Sequence, residues 1–85
     1  MYNQRVFTDY LDAAMHTATY EFLEDSREYY GEVPACQGVW ATAATLEGCR
    51  DELRDVLESW ILFRIAAHMS LPTVSGVELA VPEVA

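Results

Sequence analysis

The sequence predicts an α+β fold in which a three-stranded antiparallel sheet is backed by a long helix, with an extra helix at the N-terminus. Within residues 18–24, Tyr20 and Phe22 alternate with the polar Thr19 and Glu21, which is the period of a strand, and residues 29–33 resume the strand after a polar turn. A third short apolar stretch, residues 39–42, follows a connector that contains proline and glycine. The chain after Thr45 changes to an apolar stripe at helical spacing.

Residues 3–15 predict the N-terminal helix, because their apolar side chains recur three and four positions apart. Asn3 can cap this helix by accepting a hydrogen bond from a backbone amide. Asp9 and Asp12 lie off the stripe and should face water. The stripe itself should lie on another part of the chain or on a second subunit.

The first two strands should form a hairpin, since a polar turn of about four residues separates them. Pro34 ends the second strand because it lacks the amide that a ladder requires. Gly38 then ends the connector, and the third strand begins after it. Alternation alone leaves open which face of the sheet carries Tyr30 and which carries Trp40.

Thr45 should cap the long helix, and Glu47 places negative charge at the positive end of the helix dipole. Pro72 disfavours helical geometry before it, so the helix should end near Met69 or Ser70. The residues of its apolar stripe are Leu46, Cys49, Leu53, Val56, Leu57, Trp60 and Ile61. On the opposite side, Arg54 is expected to pair with Asp51 and Glu58.

The helix becomes apolar on all sides after Trp60, where Leu62, Phe63 and Ile65 add bulk off the stripe. A helix of this kind is enclosed on all sides. The N-terminal helix, the tail or a second chain should supply the cover.

The 85 residues predict one domain, made of the N-terminal helix at 1–16, the sheet with its long helix at 17–70, and an extended tail at 71–85. The tail either adds an edge strand or trails. A core of this size seldom supplies more than roughly 3–5 kcal/mol, so self-association as a dimer or tetramer is expected.

The net charge of −9 excludes direct nucleic-acid binding, because the five basic residues are arginines that form no cluster. The sequence shows neither a signal region nor an apolar stretch long enough for a membrane span, so a cytoplasmic location is expected. Cys36 and Cys49 should be free thiols there.

The chain carries none of the common catalytic or phosphate-binding motifs, so we expect no enzyme activity, no catalytic residue, no metal and no cofactor. Glu21 and Glu32 on adjacent strands are the one candidate for a divalent cation. Strand glutamates more often face solvent, and that interpretation is favoured.

Four residues predict a partner surface. Tyr29, Tyr30, Glu32 and Trp40 lie on the second and third strands, and aromatic residues are enriched at the centres of interfaces. The long helix covers only one sheet face. The aromatic side chains of the other face either pack beneath the N-terminal helix or meet a partner.

The set of motifs resembles the HicB-type antitoxin family in its short, single-domain form. The stretches that carry the resemblance are Tyr-Glu-Phe-Leu-Glu-Asp at 20–25, Tyr-Gly-Glu-Val-Pro at 30–34, Cys-Gln-Gly-Val-Trp-Ala at 36–41, Thr-Leu-Glu-Gly-Cys-Arg at 45–50, Leu53, Leu57, and Ser-Leu-Pro at 70–72. The resemblance implies a partial RNase H-like arrangement without that enzyme's carboxylate site. It also implies a small basic RNA-cleaving toxin as the partner.

The chain departs from the full antitoxins of this family in two ways. Only residues 73–85 follow the matched region, so we expect neither a DNA-binding module nor operator binding. The N-terminal helix is an addition to the minimal pattern. The first hypothesis is therefore an antitoxin-type protein that masks a basic RNase toxin, and the alternative is a stand-alone homo-oligomer with no toxin partner.

Overall fold

The computed structural model describes residues 4–74 and 76. Its elements are α1 (Gln4–His16), β1 (Thr19–Leu23), β2 (Glu28–Glu32), β3 (Trp40–Ala43) and α2 (Leu46–Ala66). The predicted α+β fold and its order of elements are confirmed. The proposed cap at Asn3 and the tail at 77–85 lie outside the described residues.

The sheet has the order β1-β2-β3, and both pairings are antiparallel. Gly31 of β2 lies opposite Tyr20 of β1 on one side and opposite Ala41 of β3 on the other. The hairpin turn ends at Arg27, which has a left-handed φ of 58° and donates its backbone N–H to Leu23 O at 2.7 Å.

The connector between β2 and β3 is closed by backbone hydrogen bonds rather than by side chains. Val33 N donates to Val39 O at 3.1 Å, and Val39 N donates to Cys36 O at 3.0 Å. Gly38 has a φ of 94°, a left-handed conformation that residues with a Cβ rarely adopt. This geometry explains the predicted role of Gly38 in starting the third strand.

One core joins the two helices to a single face of the sheet. The side chains that α2 buries are Cys49, Leu53, Leu57 and Ile61. The other core residues are Tyr10, Leu11, Ala14 and Met15 from α1, Val33, Cys36, Val39 and Ala41 from the sheet and connector, and Val74. The core thus lies between the sheet and the helices, and α1 packs on the same side as α2.

The contacts of α1 correct the predicted ion pairs. Arg54 pairs with Asp12 of α1, with 3.0 Å between Nη2 and Oδ1, rather than with Asp51 or Glu58. The prediction treated α2 as an isolated surface helix, whereas α1 lies alongside it. Both partners are about half exposed, so this pair contributes at most about 1 kcal/mol.

The start of α2 is as predicted. Thr45 caps it by accepting a hydrogen bond from Gly48 N at 3.0 Å. Leu46, however, lies in the first turn and is exposed rather than buried.

The end of α2 comes earlier than predicted, at Ala66 rather than near Met69. His68 takes a left-handed φ of 57°, and Met69 N donates to Arg64 O at 2.8 Å. Leu62 and Phe63 are 53% and 67% exposed, so of the three covers predicted for the helix after Trp60, the N-terminal helix is wrong, whereas the tail at 77–85 and a second chain stay predictions.

Candidate partner-binding surface

The register of the sheet decides what each face presents. Residues directly opposite each other on antiparallel strands point to the same face of the sheet. Tyr20, Gly31 and Ala41 therefore lie on one face, called the covered face below. That face meets α2, since Cys49 Sγ donates to Ala41 O at 3.5 Å. A Cβ on Gly31 would lie 3.1 Å from the same sulfur, so glycine is what permits this approach.

The other face of the sheet, called the open face below, lies on the side away from both helices. Its residues are Thr19, Glu21 and Leu23 from β1, Glu28, Tyr30 and Glu32 from β2, and Trp40 and Thr42 from β3. All eight are exposed or half-buried, and α1 packs on the opposite side of the sheet. Of the two alternatives for the aromatic side chains, packing beneath the N-terminal helix is therefore wrong.

An aromatic pair occupies the β2–β3 part of the open face. The rings of Tyr30 and Trp40 stack with their centroids 6.1 Å apart and their planes 21° apart. Trp40 is 54% exposed, and Tyr30 is half-buried. Glu32 lies directly opposite Trp40 in the register, so a carboxylate borders the aromatic pair.

The open face is negatively charged. Glu21, Glu28 and Glu32 project from it, and its strand positions carry no basic residue. Among the side chains of residues 6–74, the one ion pair is that of Arg54 with Asp12, on the side of the helices. The three carboxylates of the open face therefore have no arginine partner within the described chain.

Tyr29 is the one member of the predicted partner surface that does not lie on the open face. It points to the other face, opposite Phe22 and Ala43 in the register, and its ring centroid is 5.1 Å from that of Phe22. Successive residues of a strand point to opposite faces of the sheet, so Tyr29 and Tyr30 cannot lie on the same face. Tyr30, Glu32 and Trp40 remain together.

The candidate cation site gains no support from the geometry. Glu21 and Glu32 share the open face but are not directly opposite each other, because Glu21 pairs with Tyr30 and Glu32 pairs with Thr19. Within the described residues, no group of three or more His, Cys, Asp or Glu side chains is arranged to hold a metal ion.

The two cysteines are buried free thiols. Burial raises the pKa of Cys36 and that of Cys49, which keeps both protonated at neutral pH. A thiol is far less nucleophilic than a thiolate, so neither residue is activated for chemistry.

A cleft that the sequence did not predict lies at the C-terminal end of α2. This cleft of about 450 Å³ is lined by Ala35, Gln37, Gly38, Trp60, Arg64, Ser70, Leu71 and Pro72. These residues come from the connector between β2 and β3, from the end of α2 and from the segment just after it, and the connector is more than 20 residues from the other two in the chain. Only the tertiary structure brings them together.

Neither of the two helices in the described part of the chain combines the length and the apolar character that crossing a bilayer requires. The fold and the open face together define a small α+β protein with an acidic, aromatic surface on the sheet face that neither helix covers.

Comparisons with known proteins identify the family. The model of the UPF0150-like family matches residues 9–72, and the chain belongs to that family. The match runs from α1 through the cleft residue Pro72. No curated protein matches the chain.

A solved structure supports the fold. The chain is similar to the protein TTHA0281 from Thermus thermophilus, known from a crystal structure, with 38% sequence identity and a TM-score of 0.86. The alignment covers 92% of this chain and 96% of that one. The similarity therefore extends over nearly the whole of both chains.

Proposed function

We propose that this chain is a HicB-like antitoxin-type protein that masks a small basic RNase toxin in the cytoplasm. The observation that carries the proposal is the open face, where the Tyr30–Trp40 stack is bordered by carboxylates that no arginine of the described chain neutralises. Tryptophan and tyrosine are the residues that most often dominate interface energies. The surrounding charge favours a partner of opposite sign.

The charge also argues against a second copy of this chain on the open face. Two copies placed face to face would bring Glu21, Glu28 and Glu32 against the same three carboxylates. Like charges in such an arrangement cost several kcal/mol in all. A basic protein meets no such repulsion, and the net charge of −9 would accelerate its association.

The mode of action that we propose is covering rather than catalysis. An aromatic pair supplies contact area with little loss of side-chain entropy, whereas hydrolysis needs activated groups. The thiols are buried and protonated, and the described residues offer no group of metal ligands. Steric and electrostatic masking of an RNA-cleaving surface requires only the open face.

The test is a pull-down of the tagged chain from extract of its native cells, followed by an RNase assay on any small basic protein that it recovers. The recovered protein should cleave RNA alone and lose this activity when the chain is added back. Affinity should fall with added salt, because exposed charges are screened over about 10 Å at 0.1 M.

Trp40→Ala is the decisive variant, and Phe63→Ala is its matched control. Both remove a large, exposed aromatic side chain, but Trp40 lies on the open face and Phe63 on α2. Trp40→Ala should weaken masking at least about thirtyfold, the equivalent of a 2 kcal/mol hot spot. Equal effects of the two substitutions, or recovery of no RNase, would refute the proposal.

A second candidate function, a stand-alone homo-oligomer, is favoured by a different surface. Leu62 and Phe63 are exposed in the last turns of α2, and Met69 is exposed shortly after it. Large apolar side chains left exposed near one another in the chain suit an association surface. We propose that a second copy of the chain would cover them, because the open face is unsuited to self-association.

Light scattering tests this candidate. The chain should show at least twice its monomer mass of 9.6 kDa, and Phe63→Glu should return it to a monomer while Trp40→Glu does not. A chain that is monomeric at all concentrations would remove the candidate. That result would leave the masking proposal untouched.

A further inference from the structure

We propose that the cleft at the end of α2 is a binding site for a small organic carboxylate, held by Arg64. The juxtaposition that points to it is an arginine fixed in place inside a concave site in an otherwise acidic protein. This inference concerns the helix side of the molecule and does not depend on the function of the open face.

Arg64 is held in place by two contacts. Its Nε donates to Ser70 O at 2.9 Å, and its guanidinium lies over the ring of Trp60 with 4.8 Å to the centroid. The first contact ties the side chain to the segment that follows α2. The second is a cation–π contact, which favours the charged guanidinium at this position.

Among the residues that the structure describes, none forms a hydrogen bond or an ion pair with the terminal amino groups of Arg64. Within residues 4–74, no carboxylate lies within ion-pair distance of Arg64, unlike Arg54, which pairs with Asp12. A guanidinium presents its donors as a planar fork that matches the two oxygens of a carboxylate. The site thus offers a fixed pair of donors with no acid among its described neighbours.

The rest of the cleft suits a ligand with a small apolar part. Gln37 and Ser70 contribute polar groups, whereas Trp60, Leu71 and Pro72 contribute apolar surface. The volume of about 450 Å³ lies in the range of about 300–1,000 Å³ that is typical of small-molecule sites.

A fluorescence titration tests the site directly, because the chain has two tryptophans, Trp40 and Trp60. Trp40→Phe leaves Trp60, which lines the cleft, as the single reporter. Titration with sodium propionate should change its emission and reach saturation. Sodium chloride at equal ionic strength should produce no saturable change.

The charge variants decide whether Arg64 is responsible. In the Trp40→Phe background, Arg64→Gln should raise the dissociation constant for propionate at least about tenfold, the loss expected for a charge-assisted hydrogen bond. Arg50→Gln removes the same charge from an exposed position of α2 and should leave the response unchanged. Arg64→Lys keeps the positive charge but lacks the planar guanidinium, so this variant should bind propionate more weakly than the parent. It provides the test if the glutamine variant does not fold.

Three results would overturn the inference. These are the absence of a saturable response to propionate, an equal response in the Arg64→Lys or Arg64→Gln variant, and a tighter response to inorganic phosphate than to propionate. The last result would assign the cleft to a different class of anion.

Discussion

The two faces of the sheet are built from the same three strands, yet they differ in charge, in their cover by the helices and in the side chains at their centres. The covered face has Gly31 and Ala41 at its centre, and these small residues let α2 approach closely. The open face has Tyr30 and Trp40 in the neighbouring positions of the same strands, with glutamates around them. Tyr30 and Trp40 therefore lie on the face that neither helix covers, whereas Tyr20, Phe22 and Tyr29 lie around the small residues of the covered face.

This difference indicates that the covered face contributes mainly to the stability of the fold and the open face mainly to contacts with a partner. Small residues on the covered face allow close packing, which makes the face sensitive to any added or removed atom. Aromatic residues on the open face contribute little to the core of the single chain because they remain half-exposed. Substitutions on the two faces should therefore alter different measurements.

The largest effect is expected from Leu53→Ala, which empties a fully buried position on the α2 side of the covered face. The free energy of unfolding should fall by about 2–5 kcal/mol, because burial is lost and a cavity remains. Urea denaturation followed by circular dichroism measures it. Leu46→Ala in the exposed first turn of α2 is the matched control and should cost under about 1 kcal/mol; equal losses would contradict the assignment of the covered face.

Gly31→Ala should cost about 1–3 kcal/mol, since the added Cβ would lie 2.8 Å from a ring carbon of Tyr20 and 3.1 Å from Cys49 Sγ. The same denaturation experiment measures it. Combining it with Tyr20→Val should cost less than the sum of the two single substitutions, because the valine removes the ring that the methyl group meets. If the two losses in the free energy of unfolding simply add, the Tyr20 ring is not the group that excludes a larger side chain at position 31.

Tyr10→Phe should cost about 1 kcal/mol at neutral pH, because the Tyr10 hydroxyl donates a hydrogen bond to Pro72 O. Burial, with a smaller contribution from Cys36, raises the pKa of Tyr10 to about 12. The phenol of Tyr10 loses its proton near pH 10 in the unfolded chain but not in the folded chain. The contribution of Tyr10 to the free energy of unfolding is therefore complete below pH 10 and is lost as the pH rises to about 12.

The free energy of unfolding of the parent should therefore fall more steeply between pH 10 and pH 12 than that of the phenylalanine variant. Denaturation curves at several alkaline pH values measure both slopes. Parallel slopes would mean that the phenol is as accessible in the folded protein as in the unfolded one.

The smallest effect on stability is expected from Trp40→Ala. It removes a side chain that is 54% exposed and one partner of an aromatic stack, so the loss should stay below about 1 kcal/mol. Thermal denaturation measures this loss. A loss as large as that of Leu53→Ala would place Trp40 in the core and remove the distinction between the faces.

Much of the fold could be predicted because it depends on local patterns. The cap at Thr45, the stop at Pro34 and the positive φ of Gly38 each follow from the chemistry of one residue. The partner of Arg54 could not be predicted in this way, because Asp12 lies on another helix. The cleft around Arg64 was missed for the same reason, since the connector that forms one of its walls is distant in sequence from α2.

The candidate site was half visible in the sequence. Tyr30, Glu32 and Trp40 were expected at a partner surface, and the structure places them on one face, whereas it places Tyr29 on the other. Composition identified the residue types that suit an interface. It could not say which of two adjacent tyrosines would face outward.

The sequence by itself determined the α+β class, the order of the elements, the acidic charge and the start of α2, because periodicity, capping and charge are local properties of a chain. The tertiary structure alone decided which sheet face is open, where α1 packs and how Arg64 is held. These depend on strand register and helix docking, in which a shift of one residue moves every side chain of a strand to the opposite face.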